Sequence, residues 1–188
     1  MGGLTADTGG DDLWRRNSLY LLNWKDFDAA IRSISAGVRS TAPGVDCVLG
    51  ISRGGLVPAV ALSNALGVSP FHAIAVGRNV GDGQYLDKQP PKVLWGDDLT
   101  GLRGRRVLVV DDVAGSGATL DHVREQVVLA GAAEVWTAVL VRMKRGAGKA
   151  DFVAVELDDW VVFPWEGTEP PPGTRTRSVT LPEQEVER

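Results

Sequence analysis

Val107-Leu108-Val109-Val110-Asp111-Asp112-Val113-Ala114-Gly115-Ser116-Gly117-Ala118-Thr119-Leu120 passes from four apolar, strand-forming residues to two adjacent carboxylates, then through small residues into a helical pattern. Such a strand delivers its acids to the C-terminal edge of a sheet, where ligands bind in open α/β folds. Gly115, Ser116, Gly117 and Ala118 let backbone N–H groups approach an anion closely, and the helix that follows adds its dipole and free donors. This predicts a phosphate cradle. Two acids beside a phosphate are electrostatically unfavourable unless they serve another part of the ligand, such as sugar hydroxyls or a divalent cation. A phosphorylated sugar meets both demands. No GxxxxGK[ST] sequence is present, and GSGATL lacks the third small residue of a dinucleotide fingerprint, which argues against P-loop and dinucleotide enzymes.

Outward from this run, strands and helices alternate. Arg106 to Val110 reads as a strand, Thr119 to Ala130 as a helix ending at Gly131, and Val135 to Val141 as a further strand. Upstream, Asn23 can cap a helix whose apolar residues Trp24, Phe27, Ile31, Ile34 and Val38 share one face, ending near Pro43–Gly44. Val45 to Ile51 then reads as a strand feeding the loop Ser52-Arg53-Gly54-Gly55, followed by a helix over Leu56–Leu66 and a strand over Phe71–Val76. Repeated strand–helix–strand units predict a parallel sheet covered by helices on both faces. Residues 78–104 are long, polar and punctuated by Gly and Pro, and read either as a lid or as an antiparallel hairpin around Tyr85 and Val93–Trp95.

A length of 188 residues suits one domain, expected here over 13–166, with mobile tails at 1–12 and 167–188. The net charge of −4 argues against a nucleic-acid-binding surface, which needs clustered Lys and Arg. The N-terminus lacks the basic cluster and apolar core of a signal peptide, and no apolar run is long enough to span a bilayer. A cytoplasmic protein without membrane partners is the expectation. Cys47, the single cysteine, cannot form an internal disulfide and reads as a packed strand residue.

The stretch VLVVDDVAGSGAT resembles the signature of type I phosphoribosyltransferases, which bind 5-phosphoribosyl-1-pyrophosphate (PRPP). The resemblance runs from about Tyr20 to Glu166 and implies an α/β fold with a Rossmann-like parallel sheet flanked by helices and a small hood. It implies transfer of the phosphoribosyl group from PRPP to a nucleobase with release of pyrophosphate. Asp111 and Asp112 would contact the ribose hydroxyls directly or through Mg²⁺, with Asp112 the metal ligand. Val113, Ala114, Gly115, Ser116, Gly117, Ala118 and Thr119 would hold the sugar phosphate.

Within the family, Ser52, Arg53, Gly54 and Gly55 resemble the pyrophosphate loop of the purine branch, in which Arg53 would balance the charge on the leaving group. Asp158 to Glu166 resembles the hood strand of bacterial and archaeal xanthine, guanine and hypoxanthine phosphoribosyltransferases. There Trp160 would stack on the base, the backbone of Val161 would read its edge, and Lys144 would meet a 6-oxygen. Phe163 and Trp165 read as core. The chain departs from this group at Gly115, where many members carry an aspartate near the base. A pyrimidine or modified base, or a non-catalytic PRPP or nucleotide sensor, therefore stands as the alternative. A homodimer or homotetramer is implied by resemblance alone.

Overall fold

The computed structural model describes residues 19–77, 90–146, 148–167, 170, 173–179 and 181. Along the chain run β1 (Leu19–Leu21), α1 (Trp24–Thr41), β2 (Cys47–Ser52), α2 (Leu56–Leu66), β3 (Phe71–Gly77), β4 (Lys92–Gly96), β5 (Arg106–Ala114), α3 (Ala118–Leu129), β6 (Glu134–Met143), β7 (Phe152–Leu157), β8 (Trp160–Val162) and β9 (Thr176–Ser178). Asn23 starts α1 with a reciprocal capping box: its side chain accepts from Asp26 N–H at 2.9 Å, and the Asp26 carboxylate accepts from Asn23 N–H. Gly67 ends α2 in the left-handed conformation that favours glycine.

The main sheet has the order β4-β3-β2-β5-β6-β7, parallel except for the β3–β4 pair. Its strands are apolar on both faces because helices cover both. Val48, Leu108, Val110 and Leu140 pack with the Phe27, Ile31 and Ile34 face of α1 and with Ala59 and Leu62 of α2. Leu49, Ile51, Val107, Val109 and Val139 pack on the other side with Leu120, Val123 and Val127 of α3. Full burial of such a side chain contributes about 1.5–3 kcal/mol relative to leaving it exposed. Cys47 lies fully buried in this second layer.

The chain turns one way from β2, through α2 to β3, and the opposite way from β5, through α3 to β6. β2 and β5 are neighbours, with Val48 opposite Leu108 and Gly50 opposite Val110. The crevice at the C-terminal ends of these two strands is thus the switch point of the sheet, and both glycine-containing loops open into it.

A second, three-stranded parallel sheet, β8-β1-β9, forms the hood. Here the structure departs from the expected C-terminal tail, because β9 lies within residues 167–188 and Val179 and Leu181 are buried. The Tyr20 hydroxyl donates to Asp158 Oδ1 at 2.8 Å and accepts from Arg177 at 3.1 Å, tying β9 to the turn before Trp160. Local composition favoured a tail; pairing with a distant edge overrode it. The N-terminal tail lies outside the described residues.

The hairpin reading of residues 78–104 fits the described part. Val93 to Trp95 lie in β4, antiparallel to β3, and Leu102 is buried, so 92–102 belong to the sheet and its cover. Tyr85 lies outside the described residues. No helix among the described residues is long and apolar enough to cross a membrane.

Candidate active site

A cavity of about 320 Å³ occupies the switch point. Ser52, Arg53 and Gly54 form one wall; Asp111 to Gly117 and Thr119 form the other, with Ile51, Val76 and Leu120 beneath. Gly55 and Ala118, the other two residues expected here, lie outside this lining. Gly55 is wedged beneath the loop, where an added Cβ would stand 2.7 Å from Asp111 Cα, and Ala118 opens α3. No side chain caps α3, so the amides of its first turn carry the partial positive charge of the helix end at the cavity.

The acid pair sits at the centre. Asp112 N–H donates to Asp111 Oδ1 at 3.0 Å, and Val113 N–H donates to Asp112 Oδ1 at 2.8 Å. Burial pushes both carboxyls above their usual range, and the neighbouring Asp112 charge drives Asp111 further. Like charges brought together in a partly dehydrated crevice favour a cation or hydroxyl donors as ligand. Among the described residues no cluster of three or more metal-ligating side chains exists. The pair therefore fits a Mg²⁺ ion completed by oxygens of the substrate, since Mg²⁺ is commonly held by one or two carboxylates plus phosphates.

A second cavity of about 200 Å³ adjoins the first, lined by Asp112, Val113, Met143, Trp160, Val161, Phe163 and Glu166. Asp112 and Val113 line both, so the two cavities meet at these residues. Trp160 is held by its N–H, which donates to Asp159 Oδ1 at 2.8 Å, and Asp159 is buried. Phe163 and Trp165 stack with centroids 4.6 Å apart, and Trp165 meets Phe27 edge-on, so both belong to the core as expected. Phe163 also forms a wall of this cavity. Lys144 is exposed and outside the lining, directly after Met143, with its charge near Asp158.

Three features of the site escape a linear reading. Val76 and Met143 reach it from the ends of β3 and β6. Glu166 stands at the solvent-facing rim of the second cavity, its carboxylate accepting from Phe163 N–H at 3.1 Å. Gly146 and Gly148 pack against the loop at Gly115–Gly117: Gly148 N–H donates to Gly115 O at 3.1 Å, and a Cβ on Gly148 would stand 2.7 Å from Gly117 N. The glycines after Arg145 read as an ordinary turn; the only signal of their role is that they are glycines.

The family model for the phosphoribosyl transferase domain matches residues 19–169. The xanthine-guanine phosphoribosyltransferase of Idiomarina loihiensis is 30% identical over 155 residues, covering 81% of this chain and 90% of the relative. That of Cereibacter sphaeroides is 34% identical over 123 residues, 63% of this chain and 68% of the relative. The crystal structure of a purine phosphoribosyltransferase from Pyrococcus horikoshii superposes with a TM-score of 0.68 at 33% identity, covering 81% of this chain and 97% of that one. The matched span contains both loops, the acid pair and the hood strand, and the chain belongs to the phosphoribosyltransferase family as an enzyme of that class.

Proposed function

We propose that the enzyme binds PRPP across the two loops of the switch-point cavity and transfers its ribose 5-phosphate to a ring nitrogen of a 6-oxopurine. The observation that carries this reading is the sharing of Asp112 and Val113 by two adjoining cavities, one between the two glycine-containing loops and one walled by Trp160. A sugar whose hydroxyls lay on Asp111 and Asp112 would stand beside the residues that the two cavities share. The names of the relatives, xanthine-guanine and purine phosphoribosyltransferases, support a purine as acceptor.

In this reading the amides and hydroxyls from Ala114 to Thr119 hold the 5-phosphate, and Ser52 to Gly55 hold the pyrophosphate. The base stacks on Trp160, an interaction worth about 1–3 kcal/mol per base in nucleic-acid binders. The backbone of Val161 reads its edge, and Lys144 reaches the 6-oxygen from the neighbouring rim. The nitrogen lone pair forms the bond to the anomeric carbon, the bond from that carbon to pyrophosphate breaks, and its electron pair leaves on the pyrophosphate oxygen. The N–H proton of the base passes to solvent. Arg53 stabilises the charge gathering on the leaving group, and holding both reactants at the junction converts the reaction to an effectively unimolecular one.

Enzymes of this family generally work with Mg²⁺, and Asp112 would hold the ion here. When bound, the ion neutralises pyrophosphate charge and orients the leaving group.

Pyrophosphate release from Mg²⁺-PRPP with hypoxanthine, guanine, xanthine, adenine, orotate and uracil, against a control without base, tests the proposal. Release confined to the 6-oxopurines is expected. Tight PRPP binding without release from any base would replace this reading with that of a sensor.

A further inference from the structure

β9 lies beyond residues 19–169, the span that the family model matches, yet one of its side chains reaches back to the turn that leads into Trp160. In the hood sheet Tyr20 of β1 stands in register with Val161 on one side and Arg177 on the other. The Tyr20 hydroxyl donates to Asp158 Oδ1 at 2.8 Å and accepts from Arg177 Nη1 at 3.1 Å. Arg177 Nη1 stands 3.8 Å from Asp158 Oδ1, and its guanidinium lies 5.6 Å from the centre of the Tyr20 ring. Two side chains from separate strands thus converge on one carboxylate.

A third group competes for that carboxylate. Lys144 N–H donates to Leu157 O at 2.7 Å, which fixes the end of β6 beside the turn at Asp158. The Tyr20 hydrogen bond foremost, and then the charges of Arg177 and Lys144, hold the Asp158 carboxyl below its usual range. Lys144 follows Met143, which lines the second cavity, whereas Asp158 lies outside that lining. A lysine head group is a point charge on a flexible four-carbon stem, so the ammonium has two destinations, the base and the carboxylate. An ion pair with Asp158 would hold it off the base. A guanidinium beside Asp158 offsets the negative charge that Lys144 feels and weakens that competing pair.

We propose that Arg177 is a positioning residue of the acceptor pocket: together with Tyr20 it occupies Asp158 and so leaves Lys144 available to the 6-oxygen of the base. This rests on the reading of Lys144 as a base contact in a 6-oxopurine phosphoribosyltransferase. Strand β9 thereby acts on the base through Asp158 and Lys144 without lining the cavity itself.

The test is a double-variant cycle on the KM for guanine and hypoxanthine at saturating Mg²⁺-PRPP, with Arg177→Gln, Asp158→Asn and the two combined. Asn keeps an oxygen for the Tyr20 hydroxyl and deletes only the charge. Arg177→Gln should raise the base KM about three- to fivefold, the scale of an exposed ion pair, with the KM for PRPP unchanged. Asp158→Asn alone should leave the base KM at or below that of the wild type, and the double variant should return to that level. Tyr20→Phe should raise the base KM as well, again reversed by Asp158→Asn, which supplies the same reading should Arg177→Gln fold poorly. A merely structural tie would give two losses that add, since either substitution would loosen the turn. A base KM unmoved in Arg177→Gln, or a defect that Asp158→Asn fails to reverse, overturns the inference while leaving the transferase reading intact. An unchanged base KM in Lys144→Met overturns it together with the role of Lys144, and absence of turnover with every base overturns the transferase reading too.

Discussion

Gly54 lies directly against the carboxylate of Asp112: a Cβ at position 54 would fall 1.7 Å from Asp112 Oδ2 and 2.5 Å from its Cγ. The loop after β2 and the acid pair at the end of β5 are therefore in contact, and a side chain at position 54 would have to displace the carboxylate. The two halves of the site, separated by more than fifty residues in sequence, are set by one close approach.

Gly54→Ala should consequently displace Asp112 without removing a single functional group. Misplacing reacting groups by about 1 Å can cost on the order of a hundredfold in rate. The expected result is a loss of that size in kcat/KM in a protein that still folds cooperatively. Steady-state kinetics together with a thermal melt check it; wild-type kinetics would mean that the loop and the carboxylate yield easily.

Arg53→Ala separates catalysis from binding. Removing a donor that stabilises charge developing in the transition state costs about 10²–10³ in kcat. A loss on that scale, with PRPP affinity weakened far less, is expected from single-turnover rates and calorimetry. Equal loss in both would reduce Arg53 to a binding group.

The acid pair gives the ligand-free protein a pH dependence of definite sign. Burial raises both folded-state pKa values above those of the unfolded chain. Their contribution to stability is therefore full below the unfolded value, about 3.9, and is lost as pH rises through the raised folded values. Asp112→Asn removes one of the two charges while keeping an oxygen for Val113 N–H. It should melt above the wild type at pH 8, the advantage vanishing toward pH 4. Each kcal/mol appears as about 2–4 °C in a chain of this length. The same variant should lose turnover. A wild type that melts higher than the variant at pH 8 would contradict this account.

Gly148→Ala probes the contact with the loop at Gly115–Gly117. Its methyl would press on Gly115 O and Gly117 N from outside the cavity, both at 2.7 Å. Overpacking of this kind costs about 1–3 kcal/mol. The KM for PRPP should rise several-fold more than that for the base, measured by varying each substrate at saturation of the other.

Burial pushes the Cys47 thiol up to about 11, and the residue is fully buried between sheet and α3. Native protein should resist maleimide at pH 8 and react stoichiometrically in denaturant, followed by mass spectrometry. Rapid labelling of the native state would show that β2 opens readily.

Much of this was legible along the chain. The alternation of apolar runs with helical patterns, Asn23 as a cap and Gly67 as a stop are local signals, and local physics decides them. The signature at Asp111 to Thr119 was legible for a related reason. One continuous strand, turn and helix start carries the acids, the cradle and the dipole, so adjacency in sequence is adjacency in space. The loop at Ser52 to Gly54 could be recognised but not joined to it.

Tertiary structure alone decided the rest. The order of strands puts β2 beside β5, and the close approach of Gly54 to Asp112 follows from that pairing. Glu166 lines the second cavity only because the hood folds back against the sheet, and Gly148 matters only because its turn meets the loop at Gly115–Gly117. β9 exists only because β1 offers it an edge. Sequence dictates what depends on neighbours along the backbone. Contacts between distant residues depend on which surfaces the whole chain can bury together, and these made two loops, an acid pair and a hood into one site.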